Sequence, residues 1–140
     1  EAVKLMIADA SEAVIWELTE AISQRNPRTA ITALYELRQG PNASSSGNPF
    51  YLLTMIARQF RTIIKVKDAM QTMSGDEFAV AKAIGESPYP VKKAMAQVGR
   101  YSWAELDRVM ERLLHADYAM KTGADQETEI DLVVAELTKK

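Results

Sequence analysis

The chain has 140 residues, of which 47% are hydrophobic and 26% charged, so it is large and apolar enough to bury one core, and a largely disordered chain is excluded. Its net charge of −2 argues against a dedicated nucleic-acid module, which usually has a strongly positive balance. The lack of cysteine excludes disulfides and thiolate metal sites and favours a cytoplasmic location, and no apolar run is long enough to span a membrane.

The N-terminal part of the chain reads as two helices. Residues 2–8 form a short apolar helix or the end of one, and Ser11 is placed to cap a second helix that runs to Gln24. The apolar face of this second helix contains Val14, Leu18, Ala21 and Ile22. Because the chain starts at Glu1 and not at a methionine, we expect a domain that belongs to a larger protein.

Asparagine followed by proline marks the starts of the next two helices, because asparagine caps a helix and proline is tolerated in its first turn. The helix opened by Asn26-Pro27 ends at Gly40, a residue suited to a left-handed helix terminus. Its inward residues are predicted to be Ile31, Leu34 and Leu37. Residues 41–47 form a mobile loop, and the helix opened by Asn48-Pro49 runs to about residue 72.

This long helix has two faces of different character. The face predicted to meet the core contains Leu53, Ile56, Phe60, Ile63 and Ile64. The other face carries Arg58, Arg61 and Lys65 at positions i, i+3 and i+7, which places three cations on one side. A solvated face, a subunit interface and a phosphate-binding surface are all compatible with this stripe.

Three more helices follow the long one. Ser74 and Ser102, each followed three residues later by glutamate, have the spacing of a capping box. Between them, Pro88-Tyr89-Pro90 predicts an extended entry into a helix that ends near residue 99. The helix from Ser102 ends at Gly123. The inward residues of the last helix, 126–138, are predicted to be Ile130, Val133, Val134 and Leu137.

Every segment thus reads as helix, and no internal repeat or sustained heptad is present. We therefore predict an all-α fold, a compact bundle of about six to eight helices with irregular or orthogonal packing. Trp16 and Trp103 each stand near the start of a helix among apolar neighbours. We interpret them as packing anchors and not as platforms on which bases stack.

The helix from Ser102 places two charges on its predicted apolar stripe. This stripe, counted from Leu106, contains Val109, Met110, Leu113, Leu114 and Met120. Asp117 and Lys121 fall among these residues, so we expect a charge network or a contact with another polypeptide. The simplest network is an i, i+4 pair of the two, and a sharper hypothesis is that Arg61 of a neighbouring helix binds Asp117 with two hydrogen bonds.

Residue types suited to catalysis are scarce. His115 is the single histidine and points away from the apolar stripe, so no zinc site is predicted. No glycine-rich phosphate loop is present, which predicts no nucleotide cofactor. The acidic residues Glu17, Glu20 and Glu111 are not placed together in a cleft by their spacing. We therefore expect no catalytic, cofactor-binding or metal-binding residue, and no enzymatic activity, in this chain.

Four stretches of the sequence, residues 15–22, 59–61, 88–93 and 116–123, resemble one protein family. They read IWELTEAI, QFR, PYPVKK and ADYAMKTG, and their order and spacing are similar to those of the C-terminal domain of the delta subunit of bacterial DNA polymerase III. The resemblance extends over nearly the whole chain. It departs from the family pattern in the longer, serine-rich segment before Asn48 and in Trp16, where phenylalanine is common.

The resemblance implies a helical domain of the clamp-loader collar type. In that family an N-terminal AAA+-like module grips and opens the sliding clamp, a small lid domain follows, and the helical C-terminal domains of five subunits form a closed collar. On this basis residues 1–10 are expected to be a connector or the end of the lid domain. Residues 11–140 are expected to be the collar domain.

The resemblance also implies the function and the partners. The chain would anchor delta in a pentamer with gamma or tau and delta-prime subunits, while the sliding clamp is bound through the N-terminal module and primer–template DNA is reached indirectly. The expected structural and interface residues are Arg58, Arg61, Lys65, Asp117, Lys121 and Trp16. The residues expected near the template strand are Lys92, Lys93 and Lys121.

Two other functions remain compatible with the residues themselves. A standalone helical adaptor would bind a partner peptide in a groove between helices. A helical DNA-binding module would contact phosphates through Arg58, Arg61 and Lys65.

Overall fold

The computed structural model describes residues 2–40 and 46–139, and for residues 2–10 it describes the backbone alone. Within this part of the chain there are seven α-helices, one short 3-10 turn and no strand. The helices are α1 (Ala2–Ser23), α2 (Pro27–Gln39), α3 (Pro49–Ala69), α4 (Glu77–Ile84), α5 (Pro88–Gln97), α6 (Trp103–Lys121) and α7 (Gln126–Leu137). The all-α prediction is confirmed. None of the described helices is both long and apolar enough to cross a membrane.

The central element of the bundle is α3, which packs against α1, α4, α5, α6 and α7. Its buried face carries Leu52, Leu53, Ile56, Phe60, Ile63 and Val66. The ring of Phe60 meets the ring of Tyr101 edge-on, with 5.5 Å between the centroids. The prediction of a core face and a charged face on this helix is confirmed, with Ile64 half-buried at the boundary between them. Burial on one side of α3 therefore fixes the outward direction of its cations.

Three predicted helix starts are confirmed by their capping hydrogen bonds. The side chain of Asn26 accepts from the backbone N–H of Thr29, and that of Asn48 accepts from the backbone N–H of Tyr51. At the start of α6, Ser102 and Glu105 form the complete reciprocal capping box. Each cap satisfies a backbone donor that would otherwise lack a partner at the end of its helix.

The predicted break before Ser11 is wrong, because α1 is a single helix from Ala2 to Ser23. Residues 2–23 contain no glycine or proline, so the helix continues through Ser11 instead of starting there. The predicted cap of α4 is also wrong, since Asp76 and not Ser74 accepts from the backbone N–H of Ala79. The three residues 88–90 form the first turn of α5 itself and not an extended entry.

Gly40 ends α2 as predicted, but not in the left-handed conformation. Its φ of −74° and ψ of −179° are extended, and a Cβ there would lie 2.7 Å from the carbonyl oxygen of Glu36. Glycine is therefore required at this position by a close approach of the backbone. The left-handed terminator is Gly85 at the end of α4, with φ of 72°. The predicted loop lies mostly outside the described residues.

Three arginines hold α7 and the residues just after it against the rest of the bundle. Arg25, in the turn between α1 and α2, has a φ of 56° and donates from Nη1 to the carbonyl oxygen of Lys139 at 2.9 Å. Arg38 of α2 and Arg112 of α6 donate to carboxylates of α7 at 2.7 and 2.8 Å. The last helix and the residues just after it are thus connected to three separate elements of the chain.

Candidate interaction surfaces

A cleft opens between the exposed sides of α3 and α6. It has a volume of about 230 Å³ and is lined by Leu53, Thr54, Ala57, Arg61, Met110, Leu113, Leu114 and Asp117. We refer to it as the α3–α6 cleft. Leu114 on its rim is 70% exposed, and Tyr118, one turn further along α6, is 68% exposed. Two large apolar side chains on one turn of a helix make this surface suited to contact with another molecule.

The prediction that Asp117 and Lys121 lie on the apolar stripe of α6 is wrong. The buried stripe consists of Leu106, Val109, Leu113, Ala116 and Met120. Asp117 is half-buried beside this stripe, and Lys121 is exposed. The prediction failed because Met110 and Leu114 are apolar and were counted as part of the buried stripe, which then extended to the side of the helix that carries Asp117 and Lys121. In the fold, Leu114 points outward.

The charge of Asp117 is balanced within its own helix. Nζ of Lys121 donates to Oδ2 of Asp117 at 2.9 Å, which is the i, i+4 pair that the sequence suggested as the simplest network. Arg61 lines the same cleft but forms no ion pair with Asp117 or with any other carboxylate in the described residues. The hypothesis of a bidentate Arg61–Asp117 pair is therefore wrong, and the guanidinium is left without a carboxylate partner in this part of the chain.

The stripe of Arg58, Arg61 and Lys65 faces outward on α3, as predicted. Its three members have different surroundings. Nζ of Lys65 is 2.7 Å from Oε2 of Glu86, so its charge is partly neutralised. Arg58 lines a separate opening, bounded by α1 and the start of α5, that has a volume of about 800 Å³.

The two tryptophans differ in exposure. Trp16 is 1% exposed and belongs to the core, which confirms its interpretation as a packing anchor. Trp103, the first residue of α6, is 39% exposed, and the Nζ of Lys67 lies 5.6 Å from its ring centroid. Trp16 can therefore influence an interaction surface only indirectly, by fixing how α1 packs, whereas Trp103 is accessible to solvent.

The basic residues expected near a template strand lie on two elements. On α5, Lys92 is exposed, and the Nζ of Lys93 lies 5.6 Å from the ring centroid of Tyr89. Lys121 at the end of α6 is engaged by Asp117. His115 is exposed, as predicted. The described residues contain no group of three histidine, cysteine, aspartate or glutamate side chains that could hold a metal ion.

A second apolar groove lies between α2 and α7, with a volume of about 650 Å³. We refer to it as the α2–α7 groove. Its apolar lining is Pro27, Ile31, Leu34, Tyr35, Val134 and Ala135. Ile31 is 62% exposed and Tyr35 is 66% exposed, so the prediction that Ile31 points inward is wrong. The buried face of α2 instead contains Ala30, Ala33, Leu34 and Leu37.

The guanidinium and the carboxylates that line the α2–α7 groove are already paired with one another. Nη1 of Arg38 donates to Oδ1 of Asp131 at 2.7 Å, and Nη2 donates to the carbonyl oxygen of Glu127 at 3.2 Å. The side chain of Arg38 is only 18% exposed. The groove is therefore a largely apolar surface, and its one arginine, Arg38, is already bound within the domain.

The sequence analysis missed the four exposed apolar residues of these two surfaces. Ile31 and Tyr35 stand at i and i+4 on α2, and Leu114 and Tyr118 stand at i and i+4 on α6. This spacing places each pair on one face of its helix. The pairs could have been noticed as second apolar stripes, but exposure depends on how the helices pack and not on spacing.

Comparison with known proteins identifies the family. The sequence model of the DNA polymerase III delta subunit, C-terminal domain, matches residues 12–137. The chain is 30% identical over 139 residues to DNA polymerase III subunit delta of Bacillus subtilis, and the alignment covers 99% of this chain and 38% of that protein. The solved structure of the Bacillus subtilis DNA clamp loader delta protein is similar, with a TM-score of 0.82 and 29% identity, covering 99% of this chain and 39% of the other. The chain thus spans less than half the length of these relatives, and it belongs to the family formed by the C-terminal domains of DNA polymerase III delta subunits.

Proposed function

We propose that this chain is a collar domain that holds a clamp-loader delta subunit in its complex by contacts with neighbouring subunits. The observation that carries this proposal is the exposure of two i, i+4 apolar pairs, each more than 60% exposed, on surfaces between different helices. A patch of neighbouring exposed apolar side chains on a folded domain marks a site of protein contact, whereas a single exposed one does not. The family of the chain supplies the kind of complex in which that contact is made.

The two surfaces suit a position in a ring. A subunit of a closed ring touches one neighbour with one surface and the other neighbour with a different surface. The α3–α6 cleft and the α2–α7 groove share no lining residue and lie between different pairs of helices. We assign them to two neighbours, drawn from the gamma or tau and delta-prime subunits.

Residues 11–140 form the collar domain in this proposal, and residues 1–10 are a connector or the end of a lid domain. The continuous helix α1 runs across that boundary. The sliding clamp and primer–template DNA are engaged by other parts of the cytoplasmic complex. The chain itself contributes attachment and no catalytic group.

Mixing experiments with the other clamp-loader subunits test the proposal. Full-length delta, and separately the fragment of residues 1–140, which keeps α1 whole, would be combined with gamma or tau and delta-prime, and the molar mass of the product measured by light scattering after size exclusion. We expect a stoichiometric complex in both cases. A fragment that forms no complex contradicts the collar assignment. Salt-sensitive binding of duplex DNA without a protein complex would support the DNA-binding alternative instead.

A further inference from the structure

We infer that the α3–α6 cleft receives an amphipathic helix of a neighbouring clamp-loader subunit, and that Arg61 pairs with a carboxylate on that helix. This inference rests on the proposed function and adds the location and the chemistry of one contact. Three features of the cleft carry it: its exposed apolar rim, its unpaired guanidinium and its position between two helices.

The apolar rim provides the affinity. Leu114 is 70% exposed and Tyr118 is 68% exposed, and Met110 lies half-buried on the wall of the cleft. Covering these side chains removes a contiguous apolar surface from water, which is the main favourable term in protein association. A leucine and a tyrosine one helix turn apart also give a partner one fixed ridge to pack beside.

The charge of the cleft selects the partner. Asp117 on one wall is neutralised by Lys121 at 2.9 Å, whereas Arg61 on the other wall has no ion pair in the described residues. When Lys121 is counted with the two charged lining residues, the cleft region carries one excess positive charge, that of Arg61, which is exposed beside apolar side chains. A carboxylate placed there would form a charge-assisted hydrogen bond in a partly desolvated site. A phosphate backbone fits less well, because the rest of the lining is largely apolar and Arg61 is its one basic side chain.

The position of the cleft between two helices suits the packing of a third helix across it. Two helices form its walls, and a groove between two helices is a common binding site for the apolar face of a third. The α2–α7 groove differs in one respect, since its guanidinium, Arg38, is held by Asp131 at 2.7 Å and is not free to select a partner. The two surfaces thus differ in charge chemistry, as contacts with two different neighbours require.

Two variants with matched controls test the inference in full-length delta. Leu114→Ser removes the most exposed side chain of the apolar rim, and Arg61→Glu reverses the unpaired charge. Phe78→Ser on α4, where Phe78 is 64% exposed, and Arg108→Glu on α6, where Arg108 is exposed, are the controls. The measurement is the dissociation constant of each variant for the mixture of gamma or tau and delta-prime, with thermal unfolding as the test of folding.

We expect both cleft variants to bind at least about tenfold more weakly than wild type, and both controls to bind within about twofold of it. In a further step, substitution of single partner carboxylates by lysine is expected to restore binding of Arg61→Glu at one position.

Three outcomes would contradict the inference. If wild-type delta assembles and the cleft variants assemble equally well, the inference is overturned while the proposed function stands. If wild type fails to assemble, both are overturned. Loss of primer–template binding by Arg61→Glu, with assembly unchanged, would assign the cleft to nucleic acid and also overturn the inference.

Discussion

At the scale of single residues, Glu129 carries a negative charge into the contact between α6 and α7, where it is 7% exposed. Nη1 of Arg112 donates to it at 2.8 Å, and Nε of Arg112 donates to Glu136. Removing the arginine leaves a nearly buried carboxylate without its partner. We expect Arg112→Met to lower the free energy of unfolding by about 2 kcal/mol, somewhat less than for a fully buried pair, because Glu136 is exposed to solvent.

Urea denaturation measures this effect, and Arg108→Met is the matched control. Arg108 is exposed on the same helix and forms no ion pair with the described residues. Its substitution is expected to change the free energy of unfolding by less than about 0.5 kcal/mol. Equal effects of the two substitutions would show that Arg112 contributes no specific charge pairing.

Tyr101 presents the opposite case, a buried polar group with no partner. It is 3% exposed, and its hydroxyl has no hydrogen-bond partner in the described part of the chain. Burial raises the pKa of the Tyr101 phenol well above its usual value. Because folding removes water from this hydroxyl without replacing the hydrogen bond, we expect Tyr101→Phe to raise the free energy of unfolding by about 1 kcal/mol. Thermal denaturation checks this, with Tyr35→Phe as an exposed control, and a destabilised Tyr101→Phe would contradict it.

At the scale of elements, the start of α6 depends on the capping box of Ser102 and Glu105. Hydrogen bonds from the backbone and the side chain of Ser102 hold the pKa of Glu105 below its ordinary value of 4.5, and they outweigh burial, with a smaller contribution from Arg25. A carboxylate whose pKa is lower in the folded state stabilises the fold fully above its unfolded pKa. This contribution is lost as the pH falls through the folded pKa.

The pH dependence of a Glu105→Gln variant tests this contribution. At neutral pH we expect wild type to be more stable than the variant, because the charged hydrogen bonds are stronger than those of the amide. As the pH falls below about 4.5, protonation of Glu105 removes this advantage. The difference in the free energy of unfolding is therefore expected to shrink towards pH 3, as measured by urea titrations at several pH values. A difference that stays constant across this range would assign the effect to shape and not to charge.

Helix starts were predictable where the sequence offered only one capping residue, directly before the apolar pattern of the helix. Asn26, Asn48 and Ser102 each stand before a helix whose apolar pattern begins at once, and each forms its predicted cap. Ser74 failed because Asp76, two residues later, competes for the same role, and the sequence has no feature that decides between them. Ser11 failed because a cap residue starts a helix only where the preceding segment stops being helical.

At the scale of the whole molecule, the α2–α7 groove predicts a second site of assembly. We expect the double substitution Ile31→Ser with Tyr35→Ser in full-length delta to leave the free energy of unfolding within about 0.5 kcal/mol, because both side chains are largely exposed. Binding to the other clamp-loader subunits is expected to weaken by at least about tenfold. Analytical ultracentrifugation of the mixture measures this, and Leu132→Ser, 48% exposed on α7 and outside the groove, is the control. Unchanged assembly would remove the groove from the proposed interface.

The family was predictable from the sequence, whereas the surfaces were not. Four short stretches in the correct order carry the resemblance, and their match needs no knowledge of packing. Exposure of Leu114 and Ile31 arises only when α6 meets α3 and when α2 meets α1 and α7. An apolar residue near the edge of a stripe is compatible with either side of its helix, so the sequence alone assigned both residues to the core. The unpaired state of Arg61 within the described residues likewise depends on which side chains lie across the cleft.

The three arginines that fasten α7 bear on how the domain opens. A helix at the end of a chain often frays, and its amide protons then exchange with deuterium long before those of the interior. Here Arg25, more than a hundred positions away in sequence, holds the carbonyl oxygen of Lys139 just after the end of α7, and Arg38 and Arg112 hold the helix itself from two other sides. We expect amides in the middle of α7 to exchange as slowly as those of α3, in a single cooperative event that mass spectrometry can detect.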